Sequence, residues 1–170
     1  GWGWSITSIT LSQCRKTYLN MYKLIALLLL AFTATAQSPI PALIPAPQTL
    51  EPRSGAFVIT PQTRLAILTP SPDVRKMVID NLPGIQVSDA PKLAKAITVR
   101  VANVDGVGPE GYDLLVTPTG ITLTAPQPAG VFYGLQTMRQ LLPVTKSFRD
   151  QSIPALHIRD QPRFGWRGLM

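Results

Sequence analysis

Apolar and polar positions change their period several times along this chain, and each change marks an element. Phe57-Val58-Ile59 and Leu65-Ala66-Ile67-Leu68 are short runs of strand-forming residues bounded by proline and polar residues, which predicts two strands. Ser71-Pro72-Asp73 reads as a helix start, with a hydroxyl to cap, proline in the first turn and a carboxylate at the positive end of the dipole. Val74, Met77, Val78 and Leu82 then fall on one helical face, and Pro83-Gly84 stops the helix. Ile97 to Val101 alternates as a half-buried strand does.

Tyr112 to Val116 and Ile121 to Ala125 alternate as well, joined by Thr117-Pro118-Thr119-Gly120, whose proline and glycine supply turn torsions; a hairpin is predicted. From Pro128 to Leu142 the period becomes helical, with Val131, Leu135, Met138 and Leu142 on one stripe before Pro143. Such a helix gains stability only by covering a sheet, and Gly134 inside it costs roughly 1 kcal/mol relative to alanine, so a close approach between helix and strand is its expected reason. These elements predict an α/β (α+β) fold: a mainly antiparallel or mixed sheet with two helices packed on one face.

Upstream, Pro39, Pro41, Pro45 and Pro47 hold Ser38 to Gln48 extended as a lead-in strap. Met21-Tyr22-Lys23, the apolar run Leu24 to Phe32 and Ala34-Thr35-Ala36 have the charged, apolar and small-residue regions of a secretory signal peptide over 21–36. The run is shorter than the about 20 residues of a spanning helix, so no stable membrane anchor is expected and the mature chain, from Gln37, is exported to the periplasm or beyond. No cysteine follows Ala36 to take a lipid. Residues 1–20, ahead of this Met and without apolar periodicity, read as an upstream translation artefact.

The formal charge of +7 raises the question of nucleic acid, but the cations do not cluster. Without Arg15, Lys16 and Lys23 the mature part has thirteen cations against nine acids, an ordinary surface, and no nucleic-acid partner is expected. Cys14 is the sole cysteine and His157 the sole histidine, so neither a disulfide nor a His/Cys metal site can be assembled, and no cofactor is implied. A zinc peptidase, suggested by sheets of this general type, fails because a helical His-Glu-x-x-His pair needs two histidines.

Three blocks carry a resemblance. Glu110-Gly111-Tyr112-Asp113-Leu114, Gly120-Ile121-Thr122-Leu123 and the long run from Gly130-Val131-Phe132-Tyr133-Gly134-Leu135-Gln136-Thr137 to Leu142 resemble, in order and spacing, the N-terminal domain of family 20 glycoside hydrolases, the β-N-acetylhexosaminidases. Ile44-Pro45-Ala46-Pro47 is similar too, so the resemblance covers Leu43 to Met170. Pro162-Arg163-Phe164-Gly165-Trp166-Arg167-Gly168 favours family 20 over neighbours with a related N-terminal domain, and looks like the entry into that family's barrel.

The resemblance implies a supporting, non-catalytic domain over 37–156, followed at 157–170 by the first strand of an otherwise absent (β/α)8 barrel. It implies hydrolysis of terminal N-acetylhexosamine with retention, the substrate's own 2-acetamido group attacking the anomeric carbon while an Asp-Glu pair assists. No Asp-Glu dipeptide occurs in this chain, so the fragment alone is expected to be inactive. Asp105, Glu110 and Asp113 read as solvated residues in or beside the hairpin. Arg167 corresponds to the family's sugar-binding arginine, a role that a guanidinium fork suits. Trp166 is expected to pack between barrel and domain, and the glycan is the expected partner once the barrel is present. The alternative is a free-standing secreted carbohydrate-binding or scaffolding module.

Overall fold

The alternating runs become strands of one sheet: β1 (Thr49–Ile59), β2 (Arg64–Leu68), β3 (Gln86–Val87), β4 (Ala96–Val101), β5 (Tyr112–Thr117), β6 (Gly120–Ala125) and β7 (Gln151–Asp160). Helix α1 (Pro72–Asn81) lies between β2 and β3, and α2 (Pro128–Leu141) between β6 and β7. The structure, a computed structural model, describes residues 42–88, 95–142 and 151–164, all inside one unit from Gln37 to Met170. The leader, its preceding residues, Pro143, Trp166 and Arg167 lie outside the described residues.

The sheet is mixed, in the order β1-β7-β5-β6-β4-β2-β3. The β1–β7, β7–β5 and β5–β6 pairs are antiparallel, whereas β6–β4, β4–β2 and β2–β3 are parallel. The expected hairpin is β5–β6, closed by the Thr117↔Gly120 pair. The first expected strand is longer than three residues: β1 starts at Thr49 and passes an irregularity between Pro52 and Ala56. An outer strand tolerates both, because Pro52 has no N–H to offer a second neighbour.

β7 had no local announcement, since Pro154 interrupts its apolar pattern. Among the described residues, 151–154 pair with β1 and pairing with β5 begins at Leu156, so the proline sits before the stretch that is paired on both sides. This strand runs across the boundary expected at His157. The sheet continues through Asp160, with Leu156 and Ile158 fully buried.

Both helices follow their signals. Ser71 Oγ accepts the Val74 N–H at 3.5 Å, and Val74, Val78 and Leu82 enter the core. On α2, Val131, Leu135, Met138 and Leu141 are buried against Leu114, Val116, Ile121 and Leu123 of β5 and β6. A Cβ on Gly134 would run into the Leu123 side chain, so the glycine is there for the expected close approach. The strap from residue 42 has no regular structure, contains a cis Ile44–Pro45 bond, and is pinned to α2 by Gln140. The Gln140 amide accepts from the Ile44 N–H at 3.0 Å and donates to the Ile44 carbonyl at 3.1 Å.

Candidate functional site

Strand register sorts the charged side chains. Residues paired across a sheet share a face, and Asp113 pairs with both Arg159 and Thr124, while Thr124 pairs with Arg100. His157 pairs with Glu51 and Leu115. All of these lie on the side away from Tyr112, Leu114 and Val116, and hence away from the helices.

On that outer face Asp113 is an anchor. His157 Nε2 lies 2.9 Å and Arg159 Nε 2.7 Å from Asp113 Oδ2, and Glu51 Oε2 lies 3.8 Å from His157 Nδ1. Burial pushes the Asp113 carboxyl up, but the hydrogen bonds from Arg159 and His157 outweigh it and hold the group below its ordinary value. The expectation that Asp113 is a solvated turn residue is therefore corrected: it sits inside β5 with 18% side-chain exposure. Asp105 is an exposed turn residue, as read, and Glu110 is a half-buried one.

This cluster has the residue types of a catalytic relay without its geometry. His157 Nε2 is held by Asp113, and the group that faces Nδ1 is the Glu51 carboxylate at 3.8 Å rather than a hydroxyl or thiol. Among the described residues, no group of three His, Cys, Asp or Glu side chains is placed to hold a metal ion.

The second candidate lies on the helix side, where β7 ends. A cleft of about 440 Å³ opens between the strap, α2 and the segment after β7, lined among others by Pro45, Tyr112, Tyr133, Thr137, Asp160 and Phe164. Tyr112 Oη and Thr137 Oγ1 are 2.6 Å apart. Burial pushes the Tyr112 phenol up to about 12, opposed by its Thr137 bond and reinforced by Asp160, so it is a neutral group and no base. Asp160 itself is engaged, accepting the Gln48 N–H at 3.1 Å.

Two glycines let this corner close. A Cβ on Gly111 would stand 2.8 Å from both the Asp160 carbonyl oxygen and Gln161 Cβ. A Cβ on Gly130, at the start of α2, would strike the Gly111 carbonyl. Glycines from two of the three sequence blocks that carry the resemblance thus meet in space, holding the ends of β5, β7 and α2 together.

The model of glycosyl hydrolase family 20, domain 2, matches residues 40–161. The chain belongs to this family. The family 20 match ends one residue after β7. Among relatives, a β-hexosaminidase of Porphyromonas gingivalis is 27% identical over 141 residues, covering 75% of this chain and 18% of that protein. The solved structure of Streptomyces plicatus N-acetyl-β-hexosaminidase, in complex with Thio-NAglucal, superposes with a TM-score of 0.63 at 30% identity. It covers 76% of this chain and 28% of that one. The GH20 β-N-acetylhexosaminidase of Streptomyces coelicolor gives a TM-score of 0.64 at 30% identity over the same shares, 76% and 28%. This family 20 chain therefore spans less than a third of the relatives it matches.

Sequence reading missed the Asp113–His157–Arg159 cluster and the corner at Gly111. The first left a faint signal, Asp113 and Thr117 on either side of Leu115 in β5 and His157 two residues before Arg159 in β7. The second left none, because it depends on which chain ends meet.

Proposed function

We propose that this chain is the N-terminal supporting domain of an exported β-N-acetylhexosaminidase that removes terminal N-acetylhexosamine with retention. The observation that carries the reading is the domain 2 match over 40–161 on a fold shared with solved hexosaminidases. In this reading the substrate's 2-acetamido oxygen attacks the anomeric carbon, an Asp orients and polarises that group, and a Glu protonates the leaving oxygen. This chain has no adjacent Asp-Glu, so in this reading both acids come from sequence beyond it. Arg167 holds hydroxyls of the terminal sugar, and cleavage after Ala36 releases the mature chain.

Large apolar side chains are exposed on both faces of the sheet, Val58 and Leu68 on the side away from the helices and others on the helix side. Ile79 on α1 and Phe132 on α2 are 40% and 42% exposed, and Phe164 and Ile44, beside the cleft, are 73% and 79% exposed. No helix among the described residues is long and apolar enough to cross a membrane.

Release of a chromogenic aglycone from an N-acetylglucosaminide tests the proposal. The 170-residue chain is expected to give no turnover, and the chain continued by its downstream reading frame is expected to be active. Turnover by the short chain, or a continuation without an adjacent Asp-Glu, overturns it. N-terminal sequencing of secreted material should begin at Gln37 or a neighbouring residue.

A further inference from the structure

The last two residues before Pro162 are held more firmly than the end of a strand requires. Strand ends ordinarily fray, because their last donors and acceptors face water. Here the Gln161 side-chain oxygen accepts the Gly108 N–H at 2.6 Å, and the Gln161 carbonyl accepts from Gln48 Nε2 at 3.0 Å. Asp160 Oδ1 accepts the Gln48 N–H at 3.1 Å. The partners come from two segments that are remote in sequence, the strap before β1 and the loop before β5.

Packing reinforces these bonds. The Asp160 carbonyl and Gln161 Cβ rest on Gly111 with no room for a side chain between them, and Gly111 in turn abuts Gly130. Pro162 then ends the ladder, since it has no N–H to donate and holds Gln161 extended. The direction in which the chain leaves the sheet is thus set by three hydrogen bonds and a glycine seat.

We infer that Asp160 and Gln161 form an exit latch, and that Gln161 is a positioning residue for the segment that follows Phe164. This rests on the function proposed above. Arg167 is six residues past Gln161, within about 20 Å of the latch in any conformation. A latch that slips changes the point from which that arginine is presented to the sugar, while leaving the core of the sheet intact.

The test uses the chain continued through its downstream frame, with Gln161→Ala, which removes the acceptor for Gly108, and Gln161→Glu, which keeps a carboxylate oxygen there. The expected result for Gln161→Ala is a KM for the chromogenic N-acetylglucosaminide raised about tenfold with kcat within about twofold, the scale on which a small misplacement of a substrate-holding group is felt. Gln161→Glu should return KM to within about twofold of wild type. Should Gln161→Ala not fold, Gln48→Leu, which removes only the donor to the Gln161 carbonyl, takes its place with the same expected rise in KM.

An active wild type whose KM is untouched by these variants overturns the latch alone, and so does a Gln161→Glu protein that is as impaired as Gln161→Ala. An inactive wild type overturns the hexosaminidase reading, and the role given to the latch falls with it. In the 170-residue chain, hydrogen exchange at the Gly108 amide reads the bond itself: protection should fall about tenfold in Gln161→Ala, and equal protection rejects the latch.

Discussion

The two faces of the sheet are made by alternate residues of the same strands, yet they hold the protein together in different ways. On β5, Tyr112, Leu114 and Val116 turn toward the helices and are buried, whereas Asp113, Leu115 and Thr117 face the other side and keep partial access to water. The inner face is stabilised by apolar area removed from water, about 25 cal/mol per Å², and tolerates little change of shape. The outer face is stitched by directional pairs across strands, Asp113 with His157 and Arg159, and Arg100 Nε with Thr124 Oγ1 at 2.8 Å. A face turned away from α1 and α2 is therefore not an unorganised surface, and its pairs tie β7 to β5.

If that contrast is right, damage should be greatest where shape is constrained. Gly134→Leu is expected to cost about 2–3 kcal/mol by driving a side chain into Leu123, with the melting temperature falling roughly 5–10 °C. Thermal unfolding by circular dichroism reads this, and an unchanged midpoint would mean that helix and strand do not meet as described.

The outer face comes next. Asp113→Asn should cost about 1–2 kcal/mol at neutral pH, because it weakens two charge-assisted hydrogen bonds in a half-sheltered place. The sign of the pH dependence follows from the depressed Asp113 pKa: its contribution is present above the unfolded value near 4 and is lost as pH falls through the lower folded value. Wild type and variant should therefore converge in stability in strong acid, and a gap that persists there would assign the loss to something other than ionisation.

Tyr112→Phe probes the seam between the faces, where a polar tip is buried on the apolar side. A loss of about 1 kcal/mol is expected from the Thr137 partnership. Because the folded phenol is pushed up to about 12, its contribution is complete below the unfolded pKa of about 10 and disappears as pH rises through 12. Ultraviolet titration of the phenolate in wild type, which should lag the free amino acid, checks this. The smallest effect should come from Lys76→Ala, which removes an exposed i,i+4 pair with Asp80 on α1 and should change stability by no more than about 0.5 kcal/mol in denaturant titration.

Much of this architecture could be read before any coordinates. The limits of α1 and α2, the β5–β6 hairpin, the inner stripe and the meaning of Gly134 all follow from residues within a few positions of one another. The position of Arg167 falls outside the described residues and stays with the proposed function. Asp113 was misread because a charged residue next to a glycine-rich turn has the same local signature as one inside a strand. Only its neighbours on β7, 44 and 46 residues away, distinguish the two.

By itself, then, the sequence determined both helices and the strands other than β3 and β7, which side of each is apolar, and the family the chain resembles, because period, capping and turn chemistry act over one or two turns of backbone. The tertiary structure alone decided that β7 inserts between β1 and β5, pairing Thr49 with Arg159, and that Asp160 and Gln161 close onto Gln48, Gly108 and Gly111. Those contacts join residues some fifty to more than a hundred positions apart, and no local preference encodes which distant partner a strand end will meet.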